Sequence, residues 1–200
     1  MSQRRVVVVR TGTANLASVL AALKRLGAVA RLTEERSDVE RSDLLVLPGV
    51  GTLAAAMRKL SDDGLVLPLR ERIARGKATL AICLGMQMLL EGSEESEGVE
   101  GLGALPGFAE RFPEGLRVPQ LGWNSIEADA GAKVLGTGYA YFANSYRLVD
   151  APSGWTVAMA DYGGKFVAGI EKGSVVACQF HPELSGAFGL DIIRRWMESC

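Results

Sequence analysis

The stretch from Lys77 to Leu90, KATLAICLGMQMLL, constrains the fold more than any other part of the sequence. Residues Ala78 to Ile82 form a short apolar run, which is typical of a strand buried on both faces, and we predict a helix from Met86 to Glu91. Cys83 therefore lies at a strand-to-helix turn. Such a turn holds a thiol out of the fold beside unpaired helix amides, as a nucleophile requires. The competing interpretation is a small apolar side chain that only packs at a strand end.

Composition limits the classes of function. The 200 residues suit a single domain, 1–200, and carry 22 basic against 23 acidic side chains, with a pI of about 5.9. Without an excess of positive charge, we expect no nucleic-acid partner and no membrane partner. No apolar run approaches the roughly 18 residues of a membrane span, so we expect a cytoplasmic protein.

The cysteines exclude two further classes. They are too few and too widely spaced for a disulfide framework, and their spacing does not resemble the local pairs of a zinc site. We therefore expect reduced thiols at Cys83, Cys178 and Cys200, and no bound metal.

Strand and helix patterns alternate along the first half of the chain. Apolar runs predict strands at 4–9, 28–32, 44–47 and 78–82, and helical spacing predicts helices at 15–26, 53–60 and 65–75, with a turn at 11–13. Alternation of this kind predicts a parallel sheet with ligands at the carboxyl ends of its strands. The acidic, glycine-rich segment 91–103 is typical of a solvated surface loop.

After Gly103 the pattern changes to short strands separated by glycine and proline, at 104–109, 124–127, 139–142, 155–162, 166–170 and 174–180. A final helix is predicted from Ser185 to Met197, with Ser185 as its N-cap. The expected fold is α/β: an open, mostly parallel twisted sheet flanked by helices, with a smaller mixed or antiparallel strand extension in the C-terminal half.

A glycine-rich loop follows the third predicted strand, at Gly49, Val50 and Gly51. Together with Ala54 it matches the dinucleotide fingerprint GxGxxG/A, but the next strand ends at Cys83 where that motif requires an acidic residue. The same loop can present backbone N–H groups to a developing oxyanion. A plain turn is the third interpretation.

His181 is the single histidine of the sequence, so an imidazole of this chain that activates Cys83 must be His181. Pro182 favours an extended backbone before it, and in an extended chain Glu183 projects to the same side as His181. A carboxylate that orients an imidazole facing a thiol is the arrangement of a catalytic triad. Strand alternation turns Cys178 to the opposite face, towards the core. A purely structural histidine is the alternative.

In this order, the motifs PGVG at 48–51, AICLGMQ at 81–87 and FHPE at 180–183 resemble those of class I (triad) glutamine amidotransferases, which have a flavodoxin-like fold. Further stretches narrow the resemblance to the glutaminase subunits of imidazole glycerol phosphate synthase, in histidine biosynthesis. These stretches are GTANLASV at 12–19, LPGVG at 47–51, VPQLGWN at 118–124, YFANSY at 141–146 and QFHPE at 179–183.

The resemblance implies roles for individual residues. Cys83 would attack the side-chain amide of glutamine, His181 would shuttle the proton, and Glu183 would orient His181. Water would then resolve a glutamyl thioester, without a cofactor. The loop Gly49, Val50 and Gly51 would supply the oxyanion amide, with or without a peptide flip. The glutamine would be held by Gln87, Asn144, Ser145 and Tyr146.

The resemblance also implies a partner. The ammonia would pass to a (β/α)8-barrel cyclase subunit, which makes imidazole glycerol phosphate and AICAR, in a heterodimer. Residues matching the surface that faces the barrel are Asn15, Pro119, Gln120 and Trp123.

Several positions depart from the family pattern. Ala81 replaces the usual first glycine of the nucleophile turn, Arg10-Thr11 replaces a common Asp-Tyr pair, Gln120 and Asn144 replace frequent histidines, and Leu184 replaces a lysine. Two alternatives stay open: the glutaminase subunit of another complex, such as anthranilate or pyridoxal phosphate synthase, and a non-catalytic nucleotide-binding module.

Overall fold

The computed structural model describes residues 4–12 and 15–199. Its strands are β1 (Arg5–Val9), β2 (Val29–Thr33), β3 (Leu44–Gly49), β4 (Thr79–Cys83), β5 (Gly92–Ser93), β6 (Phe108–Arg111), β7 (Gln120–Ala128), β8 (Gly138–Asn144), β9 (Tyr146–Arg147), β10 (Thr156–Asp161), β11 (Lys165–Lys172) and β12 (Val175–Cys178). Its α-helices are α1 (Leu16–Arg25), α2 (Arg36–Arg41), α3 (Leu53–Asp62), α4 (Val66–Ala74), α5 (Leu84–Met88) and α6 (Gly186–Glu198). Two 3-10 turns lie at Glu94–Ser96 and Pro182–Leu184.

One 9-stranded sheet, in the order β2-β1-β3-β4-β12-β11-β10-β7-β8, runs through the protein. Strands β2, β1, β3, β4 and β12 are parallel to one another, and β11, β10, β7 and β8 continue the sheet antiparallel. A separate 3-stranded sheet, β5-β6-β9, lies beside it. The predicted α/β class is therefore confirmed, and most of the C-terminal extension is part of the main sheet.

Helices cover both faces of the parallel strands because β1, β3, β4 and β12 are apolar on both sides. On one face, Val6 and Val8 of β1 pack in the same core cluster as buried residues of α1 and α6. On the other face, Val7 and Val9 belong to a second cluster that includes residues of α3, α4 and α5. The strands that carry the site are thus fixed by two layers of packing.

Three details of local structure differ from the predictions or go beyond them. The helix after Cys83 is α5, which begins at Leu84 and ends at Met88, so the predicted start at Met86 is too late. The short helix α2 was not predicted because its polar sequence, RSDVER, has a single buried apolar side chain, Val39. Ser185 is the N-cap residue of α6, as predicted, but its side chain makes no capping hydrogen bond. Its hydroxyl instead donates to the carbonyl of His181 and accepts from the amide of Tyr141.

The segment 91–103 is also more ordered than expected. Its acidic side chains accept hydrogen bonds from backbone amides: Glu91 from Gly107, Glu94 from Arg111 and Glu95 from Leu53. Ser96 is buried and accepts from the amide of Ala54. The carboxylates of this segment therefore accept hydrogen bonds from backbone amides, as the side chain of a helix N-cap residue does.

The thiols of Cys83 and Cys178 are free, as expected, whereas Cys200 and Thr13 of the predicted turn lie outside the described residues. Within residues 4–12 and 15–199, no helix combines the length and apolar character needed to cross a bilayer.

Candidate active site

Cys83 occupies a strained turn at the carboxyl end of β4. Its φ of 54° makes it the one non-glycine residue with positive φ among those the structure describes. This backbone reversal needs space, because a Cβ on Gly85 would lie 2.0 Å from the carbonyl oxygen of Leu47. Strain of this kind costs on the order of 1–3 kcal/mol and is characteristic of functional positions. The predicted strand-to-helix turn at Cys83 is therefore present, with Ala81 accommodated in β4.

Strand order brings His181 to Cys83. Strand β12 pairs with β4 in parallel, with Cys178 opposite Ile82, so the chain leaves β12 on the same edge where β4 ends. The backbone of His181 is then fixed from two sides: its amide donates to the carbonyl of Tyr141 at 2.9 Å, and its carbonyl accepts from Ser185 Oγ at 2.6 Å.

The His181 side chain hydrogen bonds to Glu183, with Nδ1 and Oε1 at 2.8 Å, and the two side chains are 5% and 2% exposed. Cys83 lies close enough to act on the pKa of the same imidazole. Because Glu183 occupies Nδ1, Nε2 is the nitrogen left to face the thiol. Burial acts to lower the pKa of His181, but the hydrogen bonds and charges of Cys83 and Glu183 outweigh it and raise the pKa to about 10.

The other described thiol has a different environment. Cys178 is fully buried, and desolvation, followed by the negative charges of Glu183 and Glu171, raises its pKa far above the usual range. Cys178 therefore stays a neutral thiol of the core, as strand alternation predicts.

A chain of side-chain amides connects Cys83 to the predicted substrate residues. Gln179 Nε2 lies 3.9 Å from Cys83 Sγ, and its Oε1 accepts from Gln87 Nε2 at 2.9 Å. Gln87 Nε2 also donates to the carbonyl of Tyr146 at 3.2 Å, and Asn144 Nδ2 donates to the same carbonyl at 3.0 Å. Of the predicted substrate residues, Gln87, Asn144 and Tyr146 thus share one network, and Ser145 lies between two of them in the chain.

Gln179 is the residue of this network that sequence reasoning missed. It is fully buried, two residues before His181, at the end of an apolar strand. A glutamine in such a position needs buried hydrogen-bond partners, and that requirement was the available signal.

The predicted oxyanion loop lies against Cys83. Gly49 is opposite Cys83 in the register of β3 and β4, and a Cβ on Gly49 would lie 3.0 Å from Leu84 Cβ. Gly51 has a φ of 85°. The geometry therefore allows backbone N–H groups of this loop to approach the thiol closely, because no side chain intervenes at either glycine.

The start of α3, where the dinucleotide fingerprint would place a pyrophosphate, is already occupied by side chains. The amides of Leu53 and Ala54 donate to Glu95 and Ser96, and that of Ala55 donates to Thr52 Oγ1. A carboxylate at this end repels a phosphate, so the contacts disfavour the nucleotide-binding alternative.

The predicted partner residues differ in exposure. Asn15 and Pro119 are exposed, and Trp123 is 58% exposed. Neighbouring large apolar side chains are also exposed: Leu121, Tyr139 and Leu184. Gln120 is buried, so its contact with a partner stays a prediction without support from its position.

Comparisons with known proteins identify the family of this chain. The family model described as "Glutamine amidotransferase class-I" matches residues 8–198. A relative from Streptococcus gordonii, "Imidazole glycerol phosphate synthase subunit HisH", is 41% identical over 96% of this chain and 95% of its own length. The HisH subunit of Methanothermobacter thermautotrophicus is also 41% identical, over 96% of this chain and 98% of its own. "Imidazole glycerol phosphate synthase hisHF, chloroplastic" of Arabidopsis thaliana is 38% identical over 93% of this chain and 33% of its own.

Solved structures share the fold. A crystal structure of a glutamine amidotransferase has a TM-score of 0.78 at 24% identity, covering 96% of this chain and 97% of the other. PurLQS from Thermotoga maritima has a TM-score of 0.73 at 16% identity, covering 98% and 99%. The chain belongs to the class-I glutamine amidotransferase family, among the HisH subunits of imidazole glycerol phosphate synthase.

Proposed function

We propose that this chain, as one amidotransferase domain, hydrolyses L-glutamine to glutamate and ammonia with Cys83, His181 and Glu183 as its triad. The observation that carries the proposal is the strained turn of Cys83 facing an imidazole that Glu183 holds at 2.8 Å. A buried imidazole with a raised pKa keeps its proton at neutral pH and can donate it to a leaving nitrogen.

In the first half of the reaction, the Cys83 sulfur attacks the side-chain carbonyl carbon of glutamine. Negative charge develops on the carbonyl oxygen, and backbone amides of the loop 49–51 stabilise it. His181 then donates its proton to the leaving nitrogen, the C–N bond breaks, and ammonia leaves behind a glutamyl thioester.

In the second half, water attacks the thioester carbon. His181 Nε2, now neutral, accepts the proton of this water, and the C–S bond breaks to release glutamate and restore the thiolate. Glu183 remains bound to Nδ1 throughout and stabilises each imidazolium that forms. The amide network of Gln87, Gln179 and Asn144 lies where it can orient the bound glutamine.

We further propose that the ammonia is consumed by a (β/α)8-barrel cyclase subunit that makes imidazole glycerol phosphate. The HisH relatives in bacteria and archaea support this complex over anthranilate or pyridoxal phosphate synthase. The plant relative, of which this chain matches 33%, is long enough to carry a second catalytic unit. The exposed apolar surface of Leu121, Trp123 and Tyr139 on β7 and β8 gives such a partner an anchor.

The substitution Cys83→Ala tests the function. We expect glutamine hydrolysis by the complex to fall by at least about 10⁴-fold, because no nucleophile remains, while synthesis from added ammonium salts continues. Cys178→Ala is the matched control and should retain hydrolysis, because its thiol is in the core. Glutaminase activity that survives Cys83→Ala would contradict the assignment.

The partner is tested by steady-state hydrolysis with and without the barrel subunit. We expect weak hydrolysis by the isolated chain and a clear increase in the complex, because the oxyanion loop would be completed on association. Equal turnover in both states would show that the cyclase does not control this site.

A further inference from the structure

The predicted oxyanion loop contains two glycines and no polar side chain, so it cannot fix its own position. Backbone donors act on an oxyanion only when they are held about 2.7–3.1 Å from it. The loop must therefore be held by its neighbours. The structure shows side-chain contacts immediately before and immediately after it.

Before the loop, Thr11 Oγ1 donates to the carbonyl oxygen of Pro48 at 3.0 Å. Thr11 is fully buried, at the carboxyl end of β1, and lies in the Arg10-Thr11 pair that departs from the family pattern. This bond fixes the last peptide before Gly49.

After the loop, two side chains from the segment that follows α5 hold the first turn of α3. Glu95 Oε2 accepts from the amide of Leu53 at 3.1 Å, and Ser96 Oγ accepts from the amide of Ala54 at 3.2 Å. Ser96 is buried, and the amide of Glu95 donates to Ser93 Oγ at 3.2 Å. Since that segment begins where the nucleophile helix ends, these bonds connect both sides of the site.

We propose that Thr11, Glu95 and Ser96 are positioning residues that hold the oxyanion loop in register with Cys83. They act through backbone groups next to the loop, at Pro48 and at residues 53 and 54. Only the four residues 49–52 lie between these two fixed points, which restricts where the amides of the loop can lie. This inference rests on the proposed glutaminase function.

The test uses isosteric substitutions in the complex with the barrel subunit. We expect Thr11→Val and Ser96→Ala each to lower kcat for glutamine about tenfold, equivalent to about 1.4 kcal/mol of transition-state stabilisation, with KM within about twofold. Thr11→Ser keeps the hydroxyl and should retain at least about half of kcat.

Thr79→Val is the matched control. Thr79 is also fully buried, its hydroxyl also donates to a backbone carbonyl, that of Lys77, and it lies at the opposite end of the sheet. The Thr79 hydroxyl also accepts from Arg72 Nε, so Thr79→Val should lower the melting temperature at least as much as Thr11→Val. Its kcat should nevertheless stay within about twofold of wild type, because no oxyanion donor lies nearby.

Alkylation of Cys83 by iodoacetamide, followed by mass spectrometry, separates positioning from general disturbance. This reaction displaces iodide and needs no oxyanion donor, so Thr11→Val and Ser96→Ala should leave its rate unchanged within about twofold. Unchanged kcat, or alkylation slowed as much as hydrolysis, would overturn the inference. A wild-type complex without glutaminase activity would instead refute the proposed function.

Glu95→Gln tests whether the contribution is a hydrogen bond or a charge. An amide oxygen still accepts from Leu53, so Glu95→Gln should keep kcat while Glu95→Ala loses about tenfold. A raised KM in Glu95→Gln would assign the carboxylate to the substrate and overturn its role as a positioning residue.

Discussion

Two buried charged centres lie at opposite ends of the same parallel strands. At the amino end, Arg72 of α4 is 2% exposed, and its three nitrogens donate to four carbonyls and to two hydroxyls. At the carboxyl end, His181 and Glu183 are equally buried, but Glu183 Oε2 has no hydrogen-bond partner in the part of the chain that the structure describes.

The backbone at these two centres also differs, being regular at the amino end and strained at the carboxyl end. Arg72 lies within a regular helix, whereas Cys83 has the positive φ that glycine favours. A buried polar centre with all its hydrogen bonds made stabilises the fold, and one that is strained and incompletely bonded is characteristic of chemistry. We therefore expect substitutions at the two ends to separate stability from catalysis.

The largest effect on stability is expected at the amino end. Arg72→Met leaves buried carbonyls without donors and should lower the free energy of unfolding by about 3 kcal/mol or more, measured by urea denaturation. Activity per folded molecule should change less than about twofold. Arg70→Met on the exposed face of the same helix is the control and should cost below about 1 kcal/mol. A large loss of kcat in folded Arg72→Met would show that stability and catalysis do not depend on separate ends of the strands.

Substitution of two buried carboxylates, Glu183 and Glu171, should separate kcat from stability. Glu183→Gln removes the charge that stabilises the imidazolium and should lower kcat about 100-fold with little change in stability. Glu171→Gln is a matched buried control, because that carboxylate accepts from the amides of Lys133, Val134 and Leu135 far from the thiol. Glu171→Gln should lower the unfolding midpoint and leave kcat unchanged. The reverse pattern would assign the structural role to Glu183.

The pH dependence sharpens the comparison further. The pKa of His181 is raised from 6.5 to about 10, so its contribution to stability is fully present below pH 6.5 and is lost as pH rises through about 10. The difference in unfolding free energy between wild type and His181→Gln should shrink over that window. Hydrolysis should likewise decline as pH approaches 10, since the leaving nitrogen needs the imidazolium proton. A difference that grows above pH 8 would contradict the raised pKa.

The smallest expected effect concerns the strained turn. Glycine tolerates the φ of 54° at position 83, so Cys83→Gly should be more stable than Cys83→Ala by about 1 kcal/mol, although both are inactive. The two unfolding curves, measured side by side, check this. Equal or lower stability of the glycine variant would mean that the turn stores no strain.

Much of the site could be predicted from the sequence because its signals are local. A small-residue turn after an apolar strand identified Cys83, and a single histidine followed by Pro and Glu left one candidate base. Gln179 and Ser96 could not be identified in this way, because their partners lie far away in the chain and depend on strand order. Helix α5 was misplaced because residues 84–90 are all buried and, apart from Gln87, have no polar side chain, so they show no periodicity.

The position of β12 has a consequence for how the protein is made. This strand is the last in the sequence, yet it lies between β4 and β11 near the centre of the sheet. During translation, the earlier strands emerge from the ribosome with a gap in their hydrogen-bonded order, and His181 and Glu183 follow shortly after the strand that fills the gap. A nascent chain that stops before this gap is filled therefore also lacks His181, the imidazole that lies beside Cys83.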